Sequence, residues 1–452
     1  MRDTNRTSPL RGGGRDRGWD RDRGWSSGRS CWGAGWRTSA AALLTATACT
    51  TTTLLALPAA VPTARAADGG QCTFPSEPYE GRPWSLQRVN LDELWAQSKG
   101  EGVEVAVIDT GVDTQHPQLK PAVDASKGRS ILPPRDTKAE EGTAEGDEEL
   151  DWGKPDGTTD TVGHGTRVAG IIAARPADGT GFVGLAPEAT IIPIKQNDAE
   201  GNGTAATLAT SIRYAVDEGA DVINISQDTA NAVRPDEALQ EAVDYALGKN
   251  VVVVASAGND GLGGNVKITY PASYEGVLAV ASSDRNNERA PFSQSGEFVG
   301  VAAPGVDMIS TVPGNGHCSD NGTSFSAPYV AAVAALLKSK YKDWTAAQVV
   351  AQIEQTAERT IPGHDRLVGW GVVDPVKALT DVDPENPAET PHPDTPLPAG
   401  PAPSVSPVHF GESPDERNMR MGTYVVVGGL VLVAGLTGAG VAVRDSRRRG
   451  RG

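Results

Sequence analysis

The sequence predicts an α/β protein: a doubly wound, mostly parallel sheet with helices on both faces over residues 84–380, then one C-terminal transmembrane helix at 423–443. Three observations predict this. Short β-branched runs recur between glycines and prolines. Segments of helical periodicity separate them, the alternation that builds parallel sheets. Thr423 to Val443 is an uncharged run of 21 residues, long enough to cross a bilayer.

The elements follow in chain order. Residues 1–38 are rich in Arg and Gly, and Ala40 to Ala60 is apolar and uncharged. The small-x-small site Ala64-Arg65-Ala66 closes that stretch, so 1–66 reads as a secretory signal peptide with a long basic leader, cleaved after Ala66. Residues 67–83 form an N-terminal extension. Val103 to Ile108 (VEVAVI) suits a strand buried on both faces, which leaves Asp109 at its carboxyl end, where open α/β sheets build sites. Lys138 to Asp151 is an acidic insert, read as a solvated loop, with a lid or docking loop beside the cleft as the second reading. His164 opens a helix-compatible stretch to Ala174. Ala189 to Lys195, Asp221 to Ser226, Val251 to Ser256, Val277 to Ser282 and Phe298 to Ala302 read as further strands. Ala206 to Glu218 and Glu237 to Leu247 are the helices between them. Ser324 opens a helix in which Val330, Val333, Leu336 and Leu337 share a face, and Pro328 is expected in its first turn, where a missing N–H does no harm. Residues 381–418, dense in Pro, Glu, Asp and Ala, form a linker that spans up to roughly 100 Å at ~3.1 Å per residue. Residues 444–452 are a basic tail, and clustered arginines mark the cytoplasmic side.

Three turns carry chemistry: Asp109-Thr110-Gly111, Gly163-His164-Gly165-Thr166 and Gly322-Thr323-Ser324-Phe325-Ser326-Ala327-Pro328. A serine hydroxyl becomes a nucleophile when a positioned imidazole takes its proton and a carboxylate fixes the imidazole's tautomer. The order Asp, His, Ser is that of subtilisin. The chain therefore resembles the subtilisin-like serine proteases over roughly Trp84 to Leu379. The resemblance implies a serine endopeptidase acting on protein substrates without a cofactor. In it Asp109, His164 and Ser324 form the triad, and the Asn259 side chain with the Ser324 backbone N–H stabilises the oxyanion.

The whole layout narrows the resemblance. A signal peptide, a cysteine-bearing segment (Cys72 to Tyr79) leading to Pro83-Trp84, a catalytic domain, a Pro-rich spacer and one C-terminal span together look like a mycosin, a membrane-anchored protease of type VII secretion systems. This implies an extracytoplasmic peptidase that trims exported proteins and supports the type VII membrane complex. The alternatives are a structural subunit with incidental hydrolysis and a general degradative surface protease. Cys31 and Cys49 lie in the leader, so the exported chain keeps Cys72 and Cys318, which either form one disulfide or remain two buried thiols; the disulfide is the simpler reading.

Charge excludes one class of partner. The leader holds ten basic residues against four acids and the tail five against one, so 67–443 carries −26 behind a formal total of −16. So acidic an exported domain does not suit nucleic acid. Two departures from the wider family also matter. Secreted subtilisins often place a calcium-binding acid in a His-Pro-Asp turn; His116-Pro117-Gln118 lacks it, so no metal is expected there and His116 is read as structural. Ile225-Ser226-Gln227-Asp228 replaces the usual glycine-containing end of the substrate-binding strand, which makes Asp228 a candidate groove residue that otherwise turns to solvent.

Overall fold

The computed structural model describes residues 72–132, 153–198, 203–226, 236–264, 268–394 and 411–450. The expected signal peptide at 1–66, the acidic insert at 138–151 and Asp228 lie outside them.

Nine strands are present among the described residues: β1 (Glu104–Asp109), β2 (Arg129–Ser130), β3 (Thr190–Lys195), β4 (Val222–Ile225), β5 (Val252–Ser256), β6 (Leu278–Ser283), β7 (Val299–Pro304), β8 (Met308–Thr311) and β9 (His317–Asp320). The helices are α1 (Trp84–Gln87), α2 (Leu91–Gln97), α3 (His164–Ala173), α4 (Ala205–Asp217), α5 (Glu237–Gly248), α6 (Thr323–Lys340), α7 (Ala346–Thr356), α8 (Pro375–Thr380) and α9 (Pro414–Arg449). The first seven strands form one sheet in the order β2-β3-β1-β4-β5-β6-β7, parallel throughout. Each expected strand and helix of the domain occurs within about two residues of its sequence-based range.

Strand alternation sends neighbouring side chains to opposite faces. Val105, Val107, Val252 and Val254 pack with α3 and α6 on one face. Ala106, Ile108, Ile223 and Val253 pack with α4 and α5 on the other. With both faces covered, the strands are apolar at almost every position, as buried parallel strands must be. Helix α6 is buried nearly all round, which explains its lack of a polar stripe.

One expectation needs correction. Pro328 stands in the second turn of α6, since the helix begins at Thr323. Having no N–H, it donates nothing to the Ser324 carbonyl four residues back, and the helix accepts this loss one turn past the serine.

The sequence reading did not pick out β8 and β9, which form a separate antiparallel hairpin. The N-terminal extension lies along it. Ser76 N–H donates to the Asn315 carbonyl (2.9 Å) and His317 N–H to the Glu77 carbonyl (3.2 Å). The Cys72 and Cys318 sulfurs stand 2.14 Å apart with their Cα atoms at 5.9 Å, across 246 residues of sequence. Helix α9 is longer than the expected span, with Ser413 capping its start through the Glu416 N–H. It is long and apolar enough to cross a membrane, and all its residues are exposed.

Candidate active site

Asp109 ends β1, the strand between β3 and β4, and is fully buried. Its Oδ1 accepts from the His164 ring at Nδ1 (2.7 Å) and from the Thr110 N–H (2.8 Å). His164 is the first residue of α3, and the preceding Gly163 turns the chain with φ 79°. Gly165 is required by close packing: a Cβ there would stand 2.1 Å from the Gly111 carbonyl oxygen and 3.2 Å from Asp109 Oδ1. The start of α3 can therefore meet the end of β1 only without a side chain at 165.

Burial lowers the pKa of His164, but the charge and hydrogen bond of Asp109 outweigh it, so the net shift is upward from 6.5. A carboxylate on Nδ1–H fixes the tautomer and leaves the Nε2 lone pair as the base. Ser324 is the second residue of α6 and is buried. No hydrogen bond joins its hydroxyl to His164, whose ring bonds Asp109. The His164 ring lies 5.5 Å from that of Phe325, the next residue along.

Asn259 follows β5. Its Oδ1 accepts from the Thr323 N–H (2.9 Å) and the Thr323 hydroxyl (3.0 Å). A backbone N–H only donates, so this bond fixes which end of the amide is oxygen. The Nδ2 end faces the space beside Gly322. A methyl group at Gly322 would stand 3.7 Å from both Asn259 Nδ2 and the Ser324 backbone nitrogen. Two donors thus border one small space at the positive end of a long helix, the arrangement that stabilises a developing oxyanion.

Sequence reasoning missed the residue that ties the first two turns together. Asp160 is buried and accepts five hydrogen bonds. Its Oδ1 takes the Thr110 hydroxyl (2.9 Å), the Gly163 N–H (2.7 Å) and the Val162 N–H (3.1 Å). Its Oδ2 takes the Thr166 hydroxyl (2.7 Å) and N–H (2.9 Å). Thr110 Oγ1 in turn accepts the Gly165 N–H (2.9 Å). Burial pushes the Asp160 carboxyl pKa up against the pull of these donors. The available signal was an Asp two and three residues ahead of Val162 and Gly163, the spacing of an Asx turn. Arg167, one turn into α3, pairs with Asp320 on β9 (2.6 Å) and donates from Nε to the Gly163 carbonyl (3.0 Å).

His116 stands outside this cluster. Its Nε2–H donates to the Gly316 carbonyl (3.1 Å) and its Nδ1 accepts the Gln118 N–H (3.2 Å). The Gln118 amide nitrogen donates to the Arg175 and Phe182 carbonyls, and its oxygen accepts from His317 Nε2 (2.8 Å). Its turn is thus tied to the segment after α3 and to the hairpin by protein groups. No group of His, Cys, Asp and Glu fit to hold a metal ion occurs among the described residues.

The subtilase family model matches residues 100–371. Thermitase of Thermoactinomyces vulgaris is 37% identical over 306 residues, covering 68% of this chain and 99% of its own. The structure of the MycP3 protease from the type VII (ESX-3) secretion system aligns with TM-score 0.57 at 34% identity, over 68% of this chain and 90% of that one. The crystal structure of MycP1 from Mycobacterium smegmatis aligns with TM-score 0.56 at 31% identity, over 75% and 91%. The chain belongs to the subtilase family of serine proteases, with mycosins of type VII secretion among its structural relatives.

Proposed function

We propose that the protein is a membrane-anchored extracytoplasmic serine endopeptidase that processes proteins exported by a type VII secretion system and supports its membrane complex. The 2.7 Å bond between Asp109 and His164, whose ring lies 5.5 Å from that of Phe325 beside Ser324, is the observation that carries the catalytic part. Ser324 Oγ attacks the substrate carbonyl carbon while His164 Nε2 takes its proton. Asp109 holds the ring through Nδ1–H and stabilises the imidazolium. The oxyanion is bound by Asn259 Nδ2–H and the Ser324 N–H. His164 then protonates the leaving amine, and water repeats the sequence to release the acyl group. In this reading the Ser324 hydroxyl bonds His164 Nε2 in the substrate complex, since catalytic hydrogen bonds are often long in a free enzyme.

In this reading residues 1–66 direct export, 67–83 are the N-terminal extension, 84–380 the catalytic domain and 381–418 the linker to the bilayer. Residues 423–443 span the membrane, and the arginines of 444–452 lie inside. Cys72 and Cys318 form a disulfide in the oxidising exterior. The likeness to the MycP3 protease from the type VII (ESX-3) secretion system supports the secretion role.

The test is Ser324→Ala in the full chain. Peptide hydrolysis is expected to fall at least about 10⁴-fold, with loss of fluorophosphonate labelling. Exported clients should accumulate uncut while export continues, which separates trimming from support of the complex. Undiminished hydrolysis would overturn the assignment. Clients cut normally by the variant would make this chain a structural subunit. Indiscriminate digestion of unfolded protein by the wild type would favour a degradative protease.

A further inference from the structure

The N-terminal extension carries an exposed aromatic ring to the catalytic histidine. Phe74 is 37% exposed, although phenylalanine ordinarily buries its ring. Its Cε1 lies 3.0 Å from the point where a Cβ on Gly163 would stand, with Pro313 Cδ at 3.1 Å from the same point. Gly163 is the residue before His164, so the ring covers the backbone that presents the base.

The ring is held on both sides. Cys72, two residues earlier, meets Cys318 of β9. The Ser76 N–H, two residues later, bonds the Asn315 carbonyl. Pro75 lies against Gly314, whose N–H donates to Asp113 Oδ2 (2.5 Å), and the Asp113 N–H bonds Thr166 Oγ1 (3.0 Å) in α3. The seat of Phe74 is therefore continuous with the turn that carries His164.

We infer that Phe74 is a specificity-determining residue: its open face forms one wall of a substrate subsite that takes an apolar side chain within two residues of the scissile bond. This rests on the proteolytic reading and adds a wall that the triad turns do not supply. An imidazole that serves both Ser324 and the leaving amine sits beside the bond being cut, so a ring over residue 163 meets the substrate side chains nearest that bond. An apolar ring left open to water gains by being covered.

The experiment uses the full chain in detergent and internally quenched peptides that differ only by Leu or Ala at each position within two residues of the cut. In the wild type, Leu is preferred at one such position by kcat/KM. Phe74→Ala is expected to reduce that Leu/Ala ratio about tenfold, the scale on which an apolar pocket discriminates, and to leave the ratios at the other positions in place. Phe74→Trp narrows the same subsite and is expected to move the preference from Leu toward Ala. Cys72→Ser frees the extension and should lower the ratio as Phe74→Ala does. Ratios that do not move in either Phe74 variant, or that move equally at every position, overturn the inference. Should Phe74→Ala fail to fold, Phe74→Trp alone decides. Fluorophosphonate labelling of the wild type keeps the two readings apart: an unlabelled wild type defeats the protease assignment, whereas a labelled enzyme with unmoved ratios defeats only the subsite.

Discussion

Asp160 has the most demanding local environment in the candidate site, because five donors converge on two buried oxygens. An asparagine keeps one acceptor oxygen and turns an NH2 group toward donors. Each buried N–H so stranded costs roughly 1–3 kcal/mol. Asp160→Asn is therefore expected to lower both Tm and kcat/KM. A structural role alone would predict no more than that. The Asp160 charge also helps hold the His164 pKa above 6.5, after the larger effects of burial, Asp109 and Arg167. In the wild type, then, kcat/KM should rise with pH along a limb centred above 6.5, as the imidazole loses its proton and becomes the base. Asp160→Asn should move that limb to lower pH, read from a full pH–rate profile; an unmoved limb would confine Asp160 to folding.

At the scale of elements, the site is a meeting of three ends: the carboxyl end of β1, the amino end of α3 and the amino end of α6. Each end was recognisable locally, because glycine turns and apolar runs are local signals. Their approach is set by what stands between them, and at Gly165 nothing can. Gly165→Ala puts a methyl group 2.1 Å from a carbonyl oxygen of the β1–α3 connection, so α3 must move away from Asp109. A shift on the scale of an ångström in a catalytic base costs about 10²-fold. A fall of that order in kcat/KM is expected, with KM little changed and a lowered Tm. Wild-type kinetics would mean that α3 tolerates the displacement.

At the scale of the whole molecule, the extension and the hairpin are joined through the His317 imidazole, which must stay neutral to accept at Nδ1. His317 Nδ1 accepts the Tyr79 N–H (3.0 Å) while its Nε2–H meets Gln118. Burial, with a smaller push from His116, lowers its pKa to about 4, and burial also lowers that of His116. Unfolded imidazoles titrate near 6.5, so between 6.5 and about 4 the unfolded chain binds protons that the folded state refuses. Stability contributed here is present above 6.5 and is lost as pH falls through that window. Glu354 works in the opposite sense: burial pushes its carboxyl up to about 7, so its contribution falls as pH rises from 4.5 to 7. The informative quantity is thus a difference. His317→Asn gives up the two ring bonds and starts from a lower Tm, and its deficit against the wild type is expected to shrink as pH falls from 6.5 to 4. A deficit constant across that range would show that His317 does not titrate with unfolding.

The sequence alone determined the α/β alternation and the six long strands of the parallel sheet, β1 and β3 to β7, and it marked Asp109, His164, Asn259 and Ser324 as candidate bearers of chemistry. These rest on periodicity and turn composition, which act over a few residues and are visible without coordinates. Asp160, the β8–β9 hairpin, the interior position of Pro328 and the placement of Phe74 beside Gly163 were decided only by tertiary structure. A buried carboxylate or an exposed ring acquires its role from groups up to hundreds of positions away, and a contact between Phe74 and Gly163 leaves no periodic trace in either segment. Short-range order is written in neighbouring residues; the pairing of distant surfaces depends on which of them fill the same volume once the core has closed.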